Sequence, residues 1–292
     1  DWVLELRNRK ANGMVRIPKN LKKKPITLIF ENLELSKIDT SAMKKRDTPK
    51  NPADFPRVAM TAEQFSYDGA SLGRIDFKLN KNNQGLEIEK INFSDKDFRI
   101  EAHGDWSVID GSNFSEFTVN AFGNELKDLL ARFNYDVGNV NKGKTEVKIR
   151  ASWPGTPVEF NLAKMTGDFE LLIGEGQLLD VELGGGRLFG LLSLQSLPRR
   201  LSLDFDDLFK KGLAFDEIRG NFRIQNGDAY TNSLLLTGPS AQIDVSGRTG
   251  LVDQDYDQFM VVTPALSSSL PMAGALFGPI GMGAGAVVYL GQ

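Results

Sequence analysis

The sequence predicts a mainly β protein of antiparallel strands with a few short helices. Three observations carry this reading. Apolar and polar residues alternate along most of the 292 residues, turn-forming residues punctuate the alternating runs, and helical spacing is confined to three short stretches. A period of two puts the apolar side chains of a strand on one face of its sheet.

The alternation is plain in Ile75, Phe77 and Leu79, in Leu86 and Ile88, in Ile91 and Phe93, and in Phe98, Ile100 and Ala102. It returns in Val147 and Ile149, in Phe222 and Ile224, and in Ile243 and Val245. Asn82-Asn83-Gln84-Gly85, Asp110-Gly111-Ser112, Asn226-Gly227-Asp228 and Gly238-Pro239 separate these runs, as the turns of hairpins and meanders do. The three helical stretches are 124–133, with Leu126, Leu129, Leu130 and Phe133 at helical spacing, then 187–197, ended by Pro198, and 204–211, ended by Gly212.

The chain also repeats itself loosely. Ile75, Ile91, Phe93, Ile100 and Gly104 recur 143 positions later as Ile218, Leu234, Leu236, Ile243 and Gly247. Each copy reads strand, turn, strand, turn, strand, which suggests one sheet unit used twice.

Four segments follow. Residues 1–35 are N-terminal strands, and 36–57 form a basic loop or linker, because Pro49, Pro52 and Pro56 lack the donor a central strand needs. Residues 58–257 are the repeated β body. Residues 258–292 are an uncharged tail with Pro264, Pro271, Pro279 and six glycines, too interrupted for a regular membrane-spanning helix. It reads as a broken hairpin or amphipathic piece, or as an element cut from its partner strands. Asp1 reads as a cut point in a longer chain.

Composition excludes several chemistries. There is no cysteine, hence no disulfide or thiolate metal site, and His103 is the single histidine. His103 falls on the polar side of its strand. The net charge of −3 hides an asymmetry: residues 1–50 carry 13 basic and 6 acidic residues, a net of +7. Such a basic end can meet anionic headgroups or nucleic acid, but it lacks the interleaved aromatics that stack on bases, so no nucleic-acid partner is expected. Gly184-Gly185-Gly186-Arg187 lacks the Gly-Lys-Ser/Thr of a phosphate loop. Asp253, Asp255 and Asp257 lack the glycine and glutamate of a calcium loop. Asp204, Asp206 and Asp207 could pair for glycoside hydrolysis, though a helix N-terminus explains them as well. No catalytic residue, cofactor or metal site is predicted.

A family resemblance adds to this. Asp54-Phe55-Pro56, Phe65-Ser66-Tyr67-Asp68-Gly69 and Leu72-Gly73-Arg74-Ile75 resemble a segment of the YhdP-type members of the AsmA-like family. Leu126–Phe133, Gly143, Trp153-Pro154-Gly155 and Pro157 continue the pattern, and Gly174-Glu175-Gly176, Asp180-Val181-Glu182, Gly184 to Gly190, Leu197 to Leu201 and Gly238-Pro239-Ser240-Ala241 strengthen it. The likeness covers 50–271 and is most specific over 165–250. It implies the C-terminal part of a Gram-negative envelope protein, a bridge-type lipid carrier built of repeated β-groove units. The sheet would curl like a taco and conduct phospholipid across the periplasm between inner and outer membrane. The resemblance also implies an anchor in the inner membrane that would lie outside this chain, and it admits envelope protein partners.

An apolar sheet face must be covered. A second sheet can do this, giving a dry β-sandwich that docks an envelope partner. Lipid tails can do it too: an acyl chain of ~16 carbons at ~0.8 kcal/mol per CH₂ resists exposure by roughly 12 kcal/mol. On the resemblance, the groove lining is Ile75, Phe77, Leu79, Ile88, Phe93, Phe98, Ile100, Val147, Ile149, Phe222, Ile224, Leu236, Ile243 and Val245.

Overall fold

The structure is a computed structural model, and it describes residues 1–36, 51–83, 85–125, 140–141, 143–178, 213–265 and 286–291. In chain order the strands are β1 (Trp2–Arg7), β2 (Ala11–Ile17), β3 (Ile26–Leu35), β4 (Val58–Tyr67), β5 (Ala70–Lys81), β6 (Gly85–Ser94), β7 (Phe98–Ile109), β8 (Ser112–Gly123) and β9 (Val140–Asn141). Then follow β10 (Thr145–Pro154), β11 (Thr166–Ile173), β12 (Gly176–Leu178), β13 (Leu213–Phe215), β14 (Glu217–Gln225), β15 (Asp228–Thr237), β16 (Ala241–Gly250), β17 (Tyr256–Pro264) and β18 (Ala286–Gly291). The protein is mostly β, as the alternation predicts. Among the described residues the helical elements are single 3-10 turns at Pro52–Asp54, Pro157–Glu159 and Leu162–Lys164. Residues 126–133, 187–197 and 204–211, where the sequence predicts helices, lie outside the described residues, as do Gly184 to Gly190 and Asp204 to Asp207.

The chain divides into two units. The first takes in Asp1–Gly123 and Val147–Asp168, and the second Phe169–Gln292 with short preceding segments. In the first, strand order is chain order, β1 to β8 and then β10. Tight turns explain this succession. Asp68 and Gly69 join β4 to β5, and Asp110 and Gly111 join β7 to β8, each pair at positive φ. Two successive residues at φ > 0 match the right-handed twist of a hairpin, and Asp and Gly tolerate them.

One pair departs from the antiparallel expectation: β3 and β4 are parallel, with Ile26 opposite Val58 and Leu35 opposite Tyr67. A two-residue turn cannot make a parallel pair; the chain must cross back to the start of the strand. The long connection between β3 and β4 serves that purpose. At its end, the Asn51 side chain caps the 3-10 turn by accepting from Ala53 N at 2.9 Å. Phe55 then packs edge-on against Trp106, with ring centroids 5.1 Å apart.

The sheet of this unit is open, and it curls. Register shifts interrupt β2–β3, β4–β5, β5–β6 and β6–β7. Each extra residue bends its strand and increases local twist. The packed centre is Leu86, Ile88 and Trp106, joined by Phe55, Phe77, Leu79, Ile91 and Phe117.

In the second unit β11 is followed by β14, β15, β16, β17 and β18, again in chain order. Asn226 and Gly227, both at positive φ, turn β14 into β15. A small sheet sets β12 between β13 and β9, with Leu178, Leu213 and Phe215 buried. Residues 258–264 and 286–291 of the uncharged tail are strand: β17 pairs with β16, and β18 pairs with β17.

Candidate functional site: a continuous apolar face

Residues directly opposite one another on neighbouring strands point to the same side of a sheet. Following partners across the first unit therefore traces its faces. One row runs Leu4, Val15, Leu28, Met60, Phe77, Ile91, Ala102, Val119, from β1 to β8. A second runs Leu6, Gly13, Phe30, Ala62, Ile75, Phe93, Ile100, Ala121. A third runs Ile26, Val58, Leu79, Ile88, Gly104, Phe117. No polar side chain enters any of the three. At ~4.8 Å per strand, eight strands make an apolar face roughly 34 Å across.

The other face carries the charges. Its matching row is Glu5, Met14, Ile29, Thr61, Asp76, Asn92, Glu101, Asn120. Lys78 pairs with Glu89 at 2.7 Å, Arg99 with Glu101 at 3.2 Å, and Arg74 with both Glu63 and Asp76. The carboxylates hold the Arg74 guanidinium above its ordinary pKa, hydrogen bonding to Asp76 being the largest cause. His103 is exposed on this face, opposite Thr118, as its place in the alternation predicts. A shallow depression is lined by residues of β3 to β6, among them Thr27, Ile29, Ala59, Thr61, Asp76, Lys78 and Lys90.

The second unit has an equivalent face. Ile218, Leu236, Ile243 and Val262 form one row, and Gly220, Leu234, Val245 and Met260 the next. Ala286 and Val288 of β18 occupy the following register positions. Leu236, Ile243 and Val245 are each 1% exposed. On the opposite face Arg248 bonds Asp255 at 2.7 Å and Asp228 at 2.8 Å. The pair raises the Arg248 guanidinium above its ordinary pKa and lowers the Asp255 carboxyl, each chiefly by that hydrogen bond. Arg248, Asp228 and Asp255 thus form an ion-pair triad.

The sequence repeat is a repeat of register. Ile75, Phe93 and Ile100 are cross-strand partners, and so are Ile218, Leu236 and Ile243. The bulge between Ile88 and Ile91 recurs between Thr231 and Leu234, at the same offset. Gly104 faces Ile88 and Gly247 faces Thr231. A Cβ at Gly104 would come within 2.3 Å of the Glu116 carbonyl oxygen, and one at Gly247 within 2.2 Å of that of Asp257. Close strand approach thus demands glycine at both positions. The copies differ in polarity. Gly104 is flanked by Ile88 and Phe117, whereas Gly247 is flanked by Thr231 and Gln258. Gln258 is fully buried, donates to Thr249 Oγ1 at 2.9 Å, and leaves Oε1 without a partner.

The structure places the fourteen residues singled out from sequence as follows. Ile75, Phe77, Leu79, Ile88, Phe93, Phe98 and Ile100 lie on the first unit's apolar face. Val147 and Ile149 occupy alternate positions of β10 in phase with Trp153, which stacks on Phe117 at 5.4 Å. Phe222, Ile224, Leu236, Ile243 and Val245 are buried on the second unit's face. Sequence reasoning passed over Phe30, Leu33, Phe65, Trp106 and Met260, which are buried on the same faces. Register shifts between β4 and β5 break the period near Phe65, and Trp106 sits beside buried Ser107, which hides its alternation. Phe55 falls in the segment 36–57 that the sequence marks as a loop or linker, and its aromatic side chain between Pro52 and Pro56 is the one local signal of packing.

Fold and face together define a repeat-built, mostly antiparallel β-sheet protein with an apolar face in each of its two units. Among the described residues no group of three or more metal-ligating side chains occurs, and no helix is long and apolar enough to cross a membrane. The profile of the YhdP protein family matches residues 1–291, and the chain belongs to that AsmA-like family. It is similar to the intermembrane phospholipid transporter YhdP of Escherichia coli (strain K12), 28% identical over 222 residues, which are 76% of this chain and 18% of that relative. The chain thus spans less than a fifth of that relative's length. No solved structure matches.

Proposed function

We propose that this chain is a segment of a bridge-type lipid carrier, whose apolar face shields phospholipid acyl chains on their way across the periplasm between inner and outer membrane. One observation supports this above others: three cross-strand rows without a polar side chain, crossing as many as eight strands. Such a surface offers many weak, similar contacts and no deep trap. Tails can then slide along it while headgroups stay wet. The relative's name, an intermembrane phospholipid transporter, agrees with it. The fourteen residues above are the proposed lining, with phospholipid and the two membranes as partners.

The experiment is native mass spectrometry of the purified chain with lipid extraction. Near-stoichiometric phospholipid is expected, and Leu79→Glu, which puts a charge at a half-buried lining position, should lower it several-fold, with circular dichroism checking that the variant is folded. A lipid-free chain that takes up none from vesicles would sink the proposal. The almost complete burial of Leu236, Ile243 and Val245 favours the second reading, a packed interaction module docking an envelope protein, and that result would select it.

A further inference from the structure

We propose that one rim of the first unit's sheet is a headgroup site that favours phospholipids of net negative charge. The proposal rests on the lipid-carrier reading above. If tails lie on the apolar face, the ends of the strands are the rims past which headgroups emerge. The registers fix which side chains stand there. β2 ends at Ile17 beside the start of β3, and Ile26 at that start lies opposite Val58, the first residue of β4. The loop 18–25 and Arg57 therefore share one rim, and the Ile26 amide donates to the Arg57 carbonyl at 2.8 Å.

That rim carries Lys19, Lys22, Lys23, Lys24 and Arg57. The loop is held in shape by prolines at both ends and by Asn20. Its side chain accepts from the Lys22 amide at 3.1 Å, and its carbonyl accepts from the Lys23 and Lys24 amides at 3.2 and 3.1 Å. Among the described residues none of the five side-chain charges pairs with a carboxylate within 4.0 Å, although Asp54 lies on the same rim and so does Asp1, whose carboxylate accepts from the Lys19 amide at 3.3 Å. Several cations elsewhere in this unit are paired, although among the described residues Arg9 and Arg16 are not. At the opposite strand ends Arg7 pairs with Glu5, Lys10 with Glu34 and Lys96 with Asp97.

The basic rim borders Ile26, Val58 and Leu79, half-buried residues of one row of the apolar face. A lipid whose tails cover them would set its phosphate against the lysines. A zwitterionic head brings an ammonium that the lysines repel; a net anionic head does not. The ligand chemistry is a phosphate group, and a free phosphate would share it.

The test equilibrates the chain with vesicles of equimolar phosphatidylglycerol and phosphatidylethanolamine, re-isolates it and measures bound lipid by mass spectrometry. Bound phosphatidylglycerol should exceed phosphatidylethanolamine by about fivefold. Replacing Lys19, Lys22, Lys23 and Lys24 together by Gln should bring the ratio near one with total lipid unchanged; these side chains are exposed, and circular dichroism checks the fold. Equal uptake by the parent chain, or an undiminished preference in the variant, overturns the headgroup site while leaving the carrier reading intact. Absence of any bound lipid overturns both. Inorganic phosphate at matched ionic strength should weaken the preference no more than chloride; a stronger effect would assign the rim to a small free anion and overturn the proposal.

Discussion

Phe65 of β4 and Phe93 of β6 touch across the strand between them, their ring centroids 5.7 Å apart. Gly73 of β5 stands opposite Phe65 and has no side chain to intervene. It holds φ +69°, and a Cβ there would lie 2.3 Å from the Ser94 carbonyl oxygen. The contact therefore depends on a bulge that only glycine forms easily.

Phe65→Ala should accordingly destabilise the chain by about 3 kcal/mol, the usual cost of deleting a buried aromatic side chain. Urea unfolding followed by tryptophan fluorescence measures it. A loss below about 1 kcal/mol would show that the ring contributes little to the core.

The repeated register gives a paired expectation. Gly104→Ala and Gly247→Ala should each lower the midpoint of unfolding, since both force backbone apart at equivalent places. Comparable shifts in the two variants are expected from parallel thermal scans. A harmless change at either site would separate the copies.

Gln258 should be a liability for stability. An unpaired buried amide oxygen costs about 1–3 kcal/mol. Gln258→Met, similar in shape and apolar, should raise the unfolding free energy by about 1 kcal/mol, read from the urea midpoint. A decrease would mean that the bond to Thr249 outweighs that cost.

Arg248 and Asp255 predict a pH dependence. The Asp255 carboxyl is lowered from its ordinary value of 3.8 by the Arg248 guanidinium. The contribution is therefore present above that value and is lost as pH falls below it and through the lower folded value, because the unfolded chain binds the proton first. Both side chains are partly exposed, so the effect should be small and weakened by salt. Arg248→Met should flatten the acid limb of stability against pH, followed by circular dichroism. An identical limb in parent and variant would remove the pair as its source.

Ile75, Phe93 and Ile100 show what the sequence determined by itself. Strand type, apolar phase and repeat offset depend on local spacing, and spacing of two is a property of the extended backbone whatever its neighbours. The turns at Asp110-Gly111 and Asn226-Gly227 were legible for the same reason, since positive φ selects those residues. Other features were decided only by the tertiary structure. The parallel pairing of β3 with β4 depends on how a long connection returns, and no local residue encodes that. Phe55 covers Trp106, and Phe65 joins the apolar face, because bulges shift the phase and distant segments fold back. Joining the apolar phases of successive strands into one face depends on registers between strands. Registers are settled by many cross-strand contacts acting together, and a single strand's pattern does not contain them.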